Sequence, residues 1–288
     1  MLDVFLQQLV NGLTLGMAYA LVATGLALIF GIMGIINFAH GAFYVIAAYT
    51  LIVLMGDAGF GYLPAIPIAL VVVVCIGLAV QRTIIEPLLK THALNALLAT
   101  FALSILIQHL AQHLFGSEGR QIATPFDAVV RIGPLLLTEQ KCLVLGGGAV
   151  VLLALGLFLE RNPMGKLMRA VAQNRYGAAA LGIDVALVER YAFGLGIALA
   201  GAGGLLVGPL APIMPETGYP LTLKAFAAVI LGGLGSVKGA ILAGFLLGII
   251  ESLASAYLST AWKDGFAYLV LIAVLLVRPS GLFGQGSR

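Results

Sequence analysis

The chain has 288 residues, 61% of them hydrophobic and only 9% charged, with a formal net charge of +3. A mean hydropathy of +1.10 excludes an ordinary water-soluble domain, and so few charges, spread over loops, give nucleic acid no basic surface to meet. The two cysteines, Cys75 and Cys142, lie in or at the end of apolar runs and form neither a disulfide framework nor a zinc spacing.

From the N-terminus, MLDVFLQQL has no basic region and no small-residue cleavage site, so it is not expected to be a secretory signal peptide. Val4–Gly56 contains no Asp, Glu, Lys or Arg, enough for two crossings at about 20 residues each. Leu9–Ile36 and Gly41–Met55 are the two expected segments, which puts the N-terminus outside. A cluster of Gly31, Gly34, Asn37, His40 and Gly41 lies between them. Backbone that leaves helical geometry at membrane depth must find partners in protein or in a watery cavity. Ala58–Gln81 and Thr91–Ser117 are further uncharged runs. In the second, Thr100, Ser104, Gln108 and Gln112 recur every four residues and share one helical face. That face would be costly against lipid and should point inward. A conduit lining and interhelical hydrogen bonding both fit it. His109 and His113 are one turn apart but have no carboxylate or third ligand nearby, so no metal is predicted. Ser117–Gln140 is too polar to span and rich in turn residues, and is read as an external loop.

After the run Cys142–Leu159, residues 160–190 form an island of charge with Arg161, Lys166, Arg169, Arg175 and Arg190. A short basic loop between two spans is cytoplasmic, because Lys and Arg resist translocation. Asn162-Pro163 reads as a helix start. Met164, Leu167 and Val171 fall on one face. Gly177 interrupts that pattern, Ala-Ala-Ala-Leu resumes it, Gly182 ends it, and Asp184 can cap the next helix. Two short helices with an apolar stripe suggest a docking surface for a partner. An ordinary loop whose charges only set orientation is the competing account. Tyr191–Pro215 is the next span. A second glycine cluster follows, Gly232, Gly233, Gly235, Ser236, Lys238 and Gly239. Its continuation, Lys238-Gly239-Ala240, echoes His40-Gly41-Ala42. Paired interruptions in two halves of a transporter point to its path, while close packing through small residues explains them without one. Glu251 lies about 18 Å along the segment that begins at Gly239, in its outer third, where an interfacial or paired role is expected.

Nine Lys and Arg residues (Arg82, Lys90, Arg161, Lys166, Arg169, Arg175, Arg190, Arg278, Arg288) fall on one side and five (Arg120, Arg131, Lys141, Lys224, Lys263) on the other, with Lys238 ambiguous. The larger set marks the cytoplasm. The expected fold is an all-α, polytopic membrane helix bundle of about eight or nine spans, with two broken or re-entrant regions. It is a single domain over residues 1–288, with a cytoplasmic loop at 160–190 and an external loop at 117–140. Alternating ten-residue strands, the barrel signature, are absent from the sequence. It has no phosphate-cradling GxxxxGK[ST] and no nucleophile elbow or zinc-protease motif, so neither catalysis nor a cofactor is expected.

RAVAQNRYGAAALGID (169–184) resembles the cytoplasmic coupling segment of ABC-importer permeases, in the form of the branched-chain amino acid group. GIINFAHGAFYVIAAY (34–49), FAAVILGGLGSVKGAILAGFLLGIIESL (226–253) and LLVRPSGLFG (275–284) agree with it, in the right order, from about Gly12 to Gly284. The resemblance implies a membrane subunit for Leu, Ile and Val, in the bacterial cytoplasmic (inner) membrane. The implied partners are a second homologous permease subunit, two ABC ATPase subunits and a periplasmic or extracellular amino-acid-binding protein. The short N-terminus resembles the smaller of the two permeases. The resemblance makes Met164, Leu167, Arg169, Val171, Asn174, Gly177, Ala179 and Gly182 the ATPase-coupling candidates. Candidates for the translocation path are Asn37, His40, Thr100, Ser104, Gln108, Gly235, Ser236, Lys238 and Glu251. Importers of urea, amides or other amino acids have similar permeases, and a stand-alone channel or facilitator is the alternative of a different class.

Overall fold

The computed structural model of the protein describes residues 2–89, 93–133, 135–278 and 280–283. In chain order the elements are α1 (Leu2–Met33), α2 (His40–Gly56), α3 (Tyr62–Val80), a π-helical stretch (Gln81–Ile85), α4 (Glu86–Leu89) and α5 (Ala93–Phe115). A hairpin of β1 (Val129–Ile132) and β2 (Leu135–Thr138) follows, then α6 (Glu139–Arg161), α7 (Pro163–Gln173), α8 (Arg175–Ala180) and α9 (Val185–Val207). The chain continues with α10 (Gly218–Gly232), α11 (Val237–Tyr257) and α12 (Lys263–Val277), with two 3-10 turns between α9 and α10 and one before α12.

Six helical stretches among the described residues are long and apolar enough to cross a membrane, and α2 and Tyr268–Val277 are shorter apolar helices. The protein is therefore a multi-pass helical membrane protein, as the uncharged runs predict. The same windows divide core from rim. In α1 and α9, 83% and 78% of the most apolar window is buried, against 22% in α3 and α6. Burial inside the protein does not follow hydropathy here, since α3 has the highest hydropathy of the six, 2.8. A span facing lipid gains nothing from being covered by protein. Close contact between α1 and α11, which run antiparallel, depends on small residues. A Cβ on Gly12 would lie 2.7 Å from the Ile249 Cα, and one on Gly244 would lie 2.6 Å from the Ala20 nitrogen.

The segment 117–140 is not all loop. Val129 pairs with Thr138 and Ile132 with Leu135 in an antiparallel hairpin turned at Gly133, whose φ is +59°. Alternation over four residues is too short a signal to read against so apolar a background. Gln7 of α1 donates to the Leu136 carbonyl (3.0 Å) and accepts from its amide (2.9 Å). The start of α1 therefore lies beside this hairpin. Arg120 and Ile213 form a β-bridge on the same side. Lys90 and Arg288, counted with the cytoplasmic set, lie outside the described residues.

Candidate translocation and coupling site

The first glycine cluster is a broken helix. Gly34 has φ +69°, and residues 34–37 are irregular before α2 starts at His40. The His40 Nε2 lies 3.1 Å from the Val22 carbonyl. Val22 is about 16 Å back from the end of α1 at 1.5 Å per residue, so the chain climbs back into the bundle before α2 begins. Its backbone finds partners in side chains. The Phe38 amide donates to Thr100 Oγ1 (3.2 Å), the Ala39 amide to Asn37 Oδ1 (3.1 Å) and the Gly41 amide to Thr222 Oγ1 (2.8 Å). Thr100 and Ser104 are buried and Gln108 is half-buried, so the polar stripe of α5 does face inward. Its inner member, Thr100, bonds to the break itself, at the Phe38 amide. Asn37 and His40 are almost fully buried, and Asn37 Nδ2 and His40 Nδ1 have no hydrogen-bond partner among the described residues.

The second cluster, residues 233–236, separates α10 from α11. Gly233 and Gly235 have φ +99° and +79°, and Ser236 caps α11 by accepting from the Gly239 amide (3.1 Å). The two breaks meet: a Cβ on Gly31 would lie 3.3 Å from the Gly235 Cα. The echo between His40-Gly41-Ala42 and Lys238-Gly239-Ala240 has a shared purpose. A side chain on Gly41 would run into the Gly218 carbonyl, at the start of α10, and one on Gly239 into the Gly232 carbonyl, at its end. Helix α10 is thus a strut between the starts of both post-break helices.

Midway along this strut sits Lys224. Its Nζ lies 2.8 and 3.0 Å from the two Glu251 carboxylate oxygens of α11, and donates to Tyr19 Oη of α1 (3.0 Å). Tyr19 in turn donates to Glu251 (2.7 Å). Glu251 is 2% exposed and Lys224 8%. Lys224, assigned above to the external loops, is instead inside the bundle, and Glu251 is paired rather than interfacial. A lone charge buried among apolar helices needs its counter-charge at contact distance. Lys224, Tyr19, Asn11 and Lys141 line an outer cavity of about 630 Å³, where Lys141 donates to Asn11 (2.8 Å). On the opposite side of the breaks, Gly31, Gly235, Ser236, Lys238, Met168 and Arg169 line a cavity of about 610 Å³.

That inner cavity touches the folded 160–190 loop. Asn162 caps α7 by accepting from the Met164 amide (2.9 Å), with Pro163 in the first turn. Val171 is buried, Met164 and Leu167 are half-buried, and all three belong to the packed core. The apolar stripe expected to meet a partner is therefore occupied by the protein's own spans. The reason is a tight fold-back, in which a Cβ on Gly165 would lie 2.5 Å from the Phe158 carbonyl, and Arg169 donates to the Leu159 carbonyl. The helix break is at Asn174, φ −155°, not at Gly177, which lies within α8 and donates to the Asn174 cap (2.8 Å). Asn174 wins because its side chain satisfies the orphan amides of a new helix. Gly182, φ +81°, ends the segment, and Asp184 caps α9 by accepting from Leu187 (3.0 Å). What the loop presents outward is α8: Tyr176 is 88% and Leu181 85% exposed, and Ala179 is exposed. Arg175 of α8 lies 2.7 Å from Glu189 of α9, at an angle too poor for a hydrogen bond.

Residues 8–275 match the family described as the branched-chain amino acid transport system / permease component. The chain belongs to this permease family. Its relatives include the high-affinity branched-chain amino acid transport system permease protein LivH of Escherichia coli, 36% identical over 98% of this chain and 96% of the relative. BraD of Pseudomonas aeruginosa is 34% identical with the same coverage. A probable LivH of Methanocaldococcus jannaschii is 29% identical over 92% of this chain and 88% of its own length.

In this permease the structure brings Asn37, His40 and Thr100 together at one break, and Gly235, Ser236 and Lys238 at the other. Glu251 stands apart from both, on the outer cavity side. Lys224, Tyr19 and Thr222 are missing from the candidates read in sequence. The opposite charges of Lys224 and Glu251, both inside apolar stretches, were the available signal for the first. Cysteines placed singly at Ser236 and Lys238, after removal of Cys75 and Cys142, are expected to react with an impermeant thiol reagent from the cytoplasmic side. Cysteines at Asn37 and His40 are expected to react at least tenfold more slowly in this conformation. Equal rates at all four positions would show that the first break is not sealed.

Proposed function

We propose that this chain is the membrane-spanning subunit of an ABC importer that carries branched-chain amino acids across the bacterial cytoplasmic membrane. The observation that carries the reading is α8, a short helix in the basic loop with Tyr176 and Leu181 more than four-fifths exposed. A channel needs no such element. Each of two separate ATPase subunits would receive one such helix, from this chain and from a second homologous permease. A solute-binding protein would deliver Leu, Ile or Val to the outer face.

Closure of the ATPase dimer moves α8. The Arg175–Glu189 pair passes that motion to α9, and the packed stripe of α7 passes it to α6 and α1. These helices border the two breaks, and the cavities on either side of the breaks are the two ends of the path. Opening one and closing the other requires the segments at 34–39 and 233–236 to shift, and positive-φ glycines and half-satisfied polar groups suit them to it.

Reconstitution in liposomes tests the reading. Radiolabelled leucine is expected to enter only when the partner permease, both ATPases, ATP and the binding protein are all present. Saturable entry with this chain alone would replace the importer by a facilitator. Entry of urea or an amide but not leucine through the full assembly would overturn the substrate and keep the class.

A further inference from the structure

Gln81 opens the π-helical stretch at the cytoplasmic end of α3. It is 1% exposed, and neither its Nε2 nor its Oε1 has a hydrogen-bond partner among the described residues. A buried amide with both ends unmet calls for a missing partner, and single π-turns recur where a ligand is held. The side chain lines a cavity of about 470 Å³ between α3 and α9.

The cavity has two ends of different character. Toward the bilayer centre its walls are Val74, Leu78 and Leu195. At the cytoplasmic end stand Arg82 and Arg190. Arg82 is exposed and makes no ion pair or hydrogen bond among the described residues. Arg190 forms a two-pronged pair with Glu86 (2.9 and 3.1 Å) and lies within electrostatic reach of Asp184, so Arg82 is the cation of this groove not held by a carboxylate among the described residues. The outer face of α3 is apolar and uncovered by the chain itself, with Val71 62% and Ile76 39% exposed.

We propose that this groove binds one anionic phospholipid of the cytoplasmic leaflet. The phosphate would sit against Arg82 and the outer side of Arg190, one acyl chain would lie along Val74, Leu78 and Leu195, and an ester or phosphate oxygen would accept from Gln81 Nε2. A lipid fits better than a free anion because the apolar walls below the cations need covering at bilayer depth. Basic pockets between helices on the cytoplasmic side hold such headgroups. The assignment is independent of which substrate is carried.

The test is native mass spectrometry of the full chain in detergent with equal amounts of phosphatidylglycerol and phosphatidylcholine. The wild type is expected to retain phosphatidylglycerol over phosphatidylcholine. Arg82→Ala should lower that retention about fivefold, the factor for one basic residue at an anionic surface. Leu195→Trp should fill the groove and abolish retention without touching a charge. Arg131→Ala, which removes the same charge from the distant hairpin, should leave retention unchanged. Excess inorganic phosphate should not displace the lipid. Equal retention of the two lipids, an equal fall with Arg131→Ala, or displacement by phosphate would each overturn the proposal.

Discussion

Lys224→Met is expected to destabilise the bundle by about 3–5 kcal/mol, because it leaves the Glu251 carboxylate buried without its cation. Glu251 is 2% exposed, and it also accepts from the Tyr19 hydroxyl at 2.7 Å. Glu251→Gln removes the counter-charge of the Lys224 ammonium, which keeps its hydrogen bond to the Tyr19 hydroxyl. The pair joins α1, α10 and α11, so its loss loosens the strut that both post-break helices rest on. The double variant Lys224→Met/Glu251→Leu removes both charges and both desolvation penalties, and is expected to regain most of the stability. Thermal unfolding followed by fluorescence-detected gel filtration measures all three. Single variants as stable as wild type would mean that the pair does not clamp the bundle. A double variant that recovers stability but not leucine uptake would give the pair a part in transport beyond packing.

The second large effect separates two faces of one loop. Leu181→Asp and Tyr176→Asp are expected to cut uptake at least tenfold at unchanged membrane abundance, because both side chains are more than four-fifths exposed and a charge there disturbs only a partner. Val171→Asp is expected to lose abundance as well as uptake, since it buries an unpaired carboxylate where Val171 is 2% exposed. Gly177→Pro removes the amide that donates to Asn174 Oδ1 at 2.8 Å, and should abolish uptake by unseating α8 while insertion continues. Quantitative immunoblotting beside uptake distinguishes these outcomes. If Leu181→Asp transported like wild type at equal abundance, α8 would not be a docking surface.

Local signals were read with the most success. Asn162-Pro163 starts α7, Gly182 ends the coupling segment and Asp184 caps α9, because caps and turns are decided by the side chain's own neighbours. The two glycine clusters were legible as breaks for the same reason: a positive φ at Gly34, Gly233 and Gly235 is a property of one residue. The misreadings at Val171 and Lys224 share a different origin. A helical stripe shows which residues face together, but not whether the surface they meet is another subunit or the chain's own spans.

By itself, then, the sequence determined the class of protein. Long uncharged runs leave the backbone no choice but helices across a bilayer, and the excess of Lys and Arg on one side orients them. Motif order along the whole chain determined the family. Only the tertiary structure decided that α1 and α9 form the core while the more hydrophobic α3 lies at the rim, because in a membrane hydropathy does not distinguish lipid from protein as a neighbour. It also decided that the two breaks touch at Gly31 and Gly235, and that Lys224, Glu251 and Tyr19 converge. Those contacts join residues up to 232 positions apart, where no periodicity or spacing carries information and only the packing of helices brings the groups within hydrogen-bond reach.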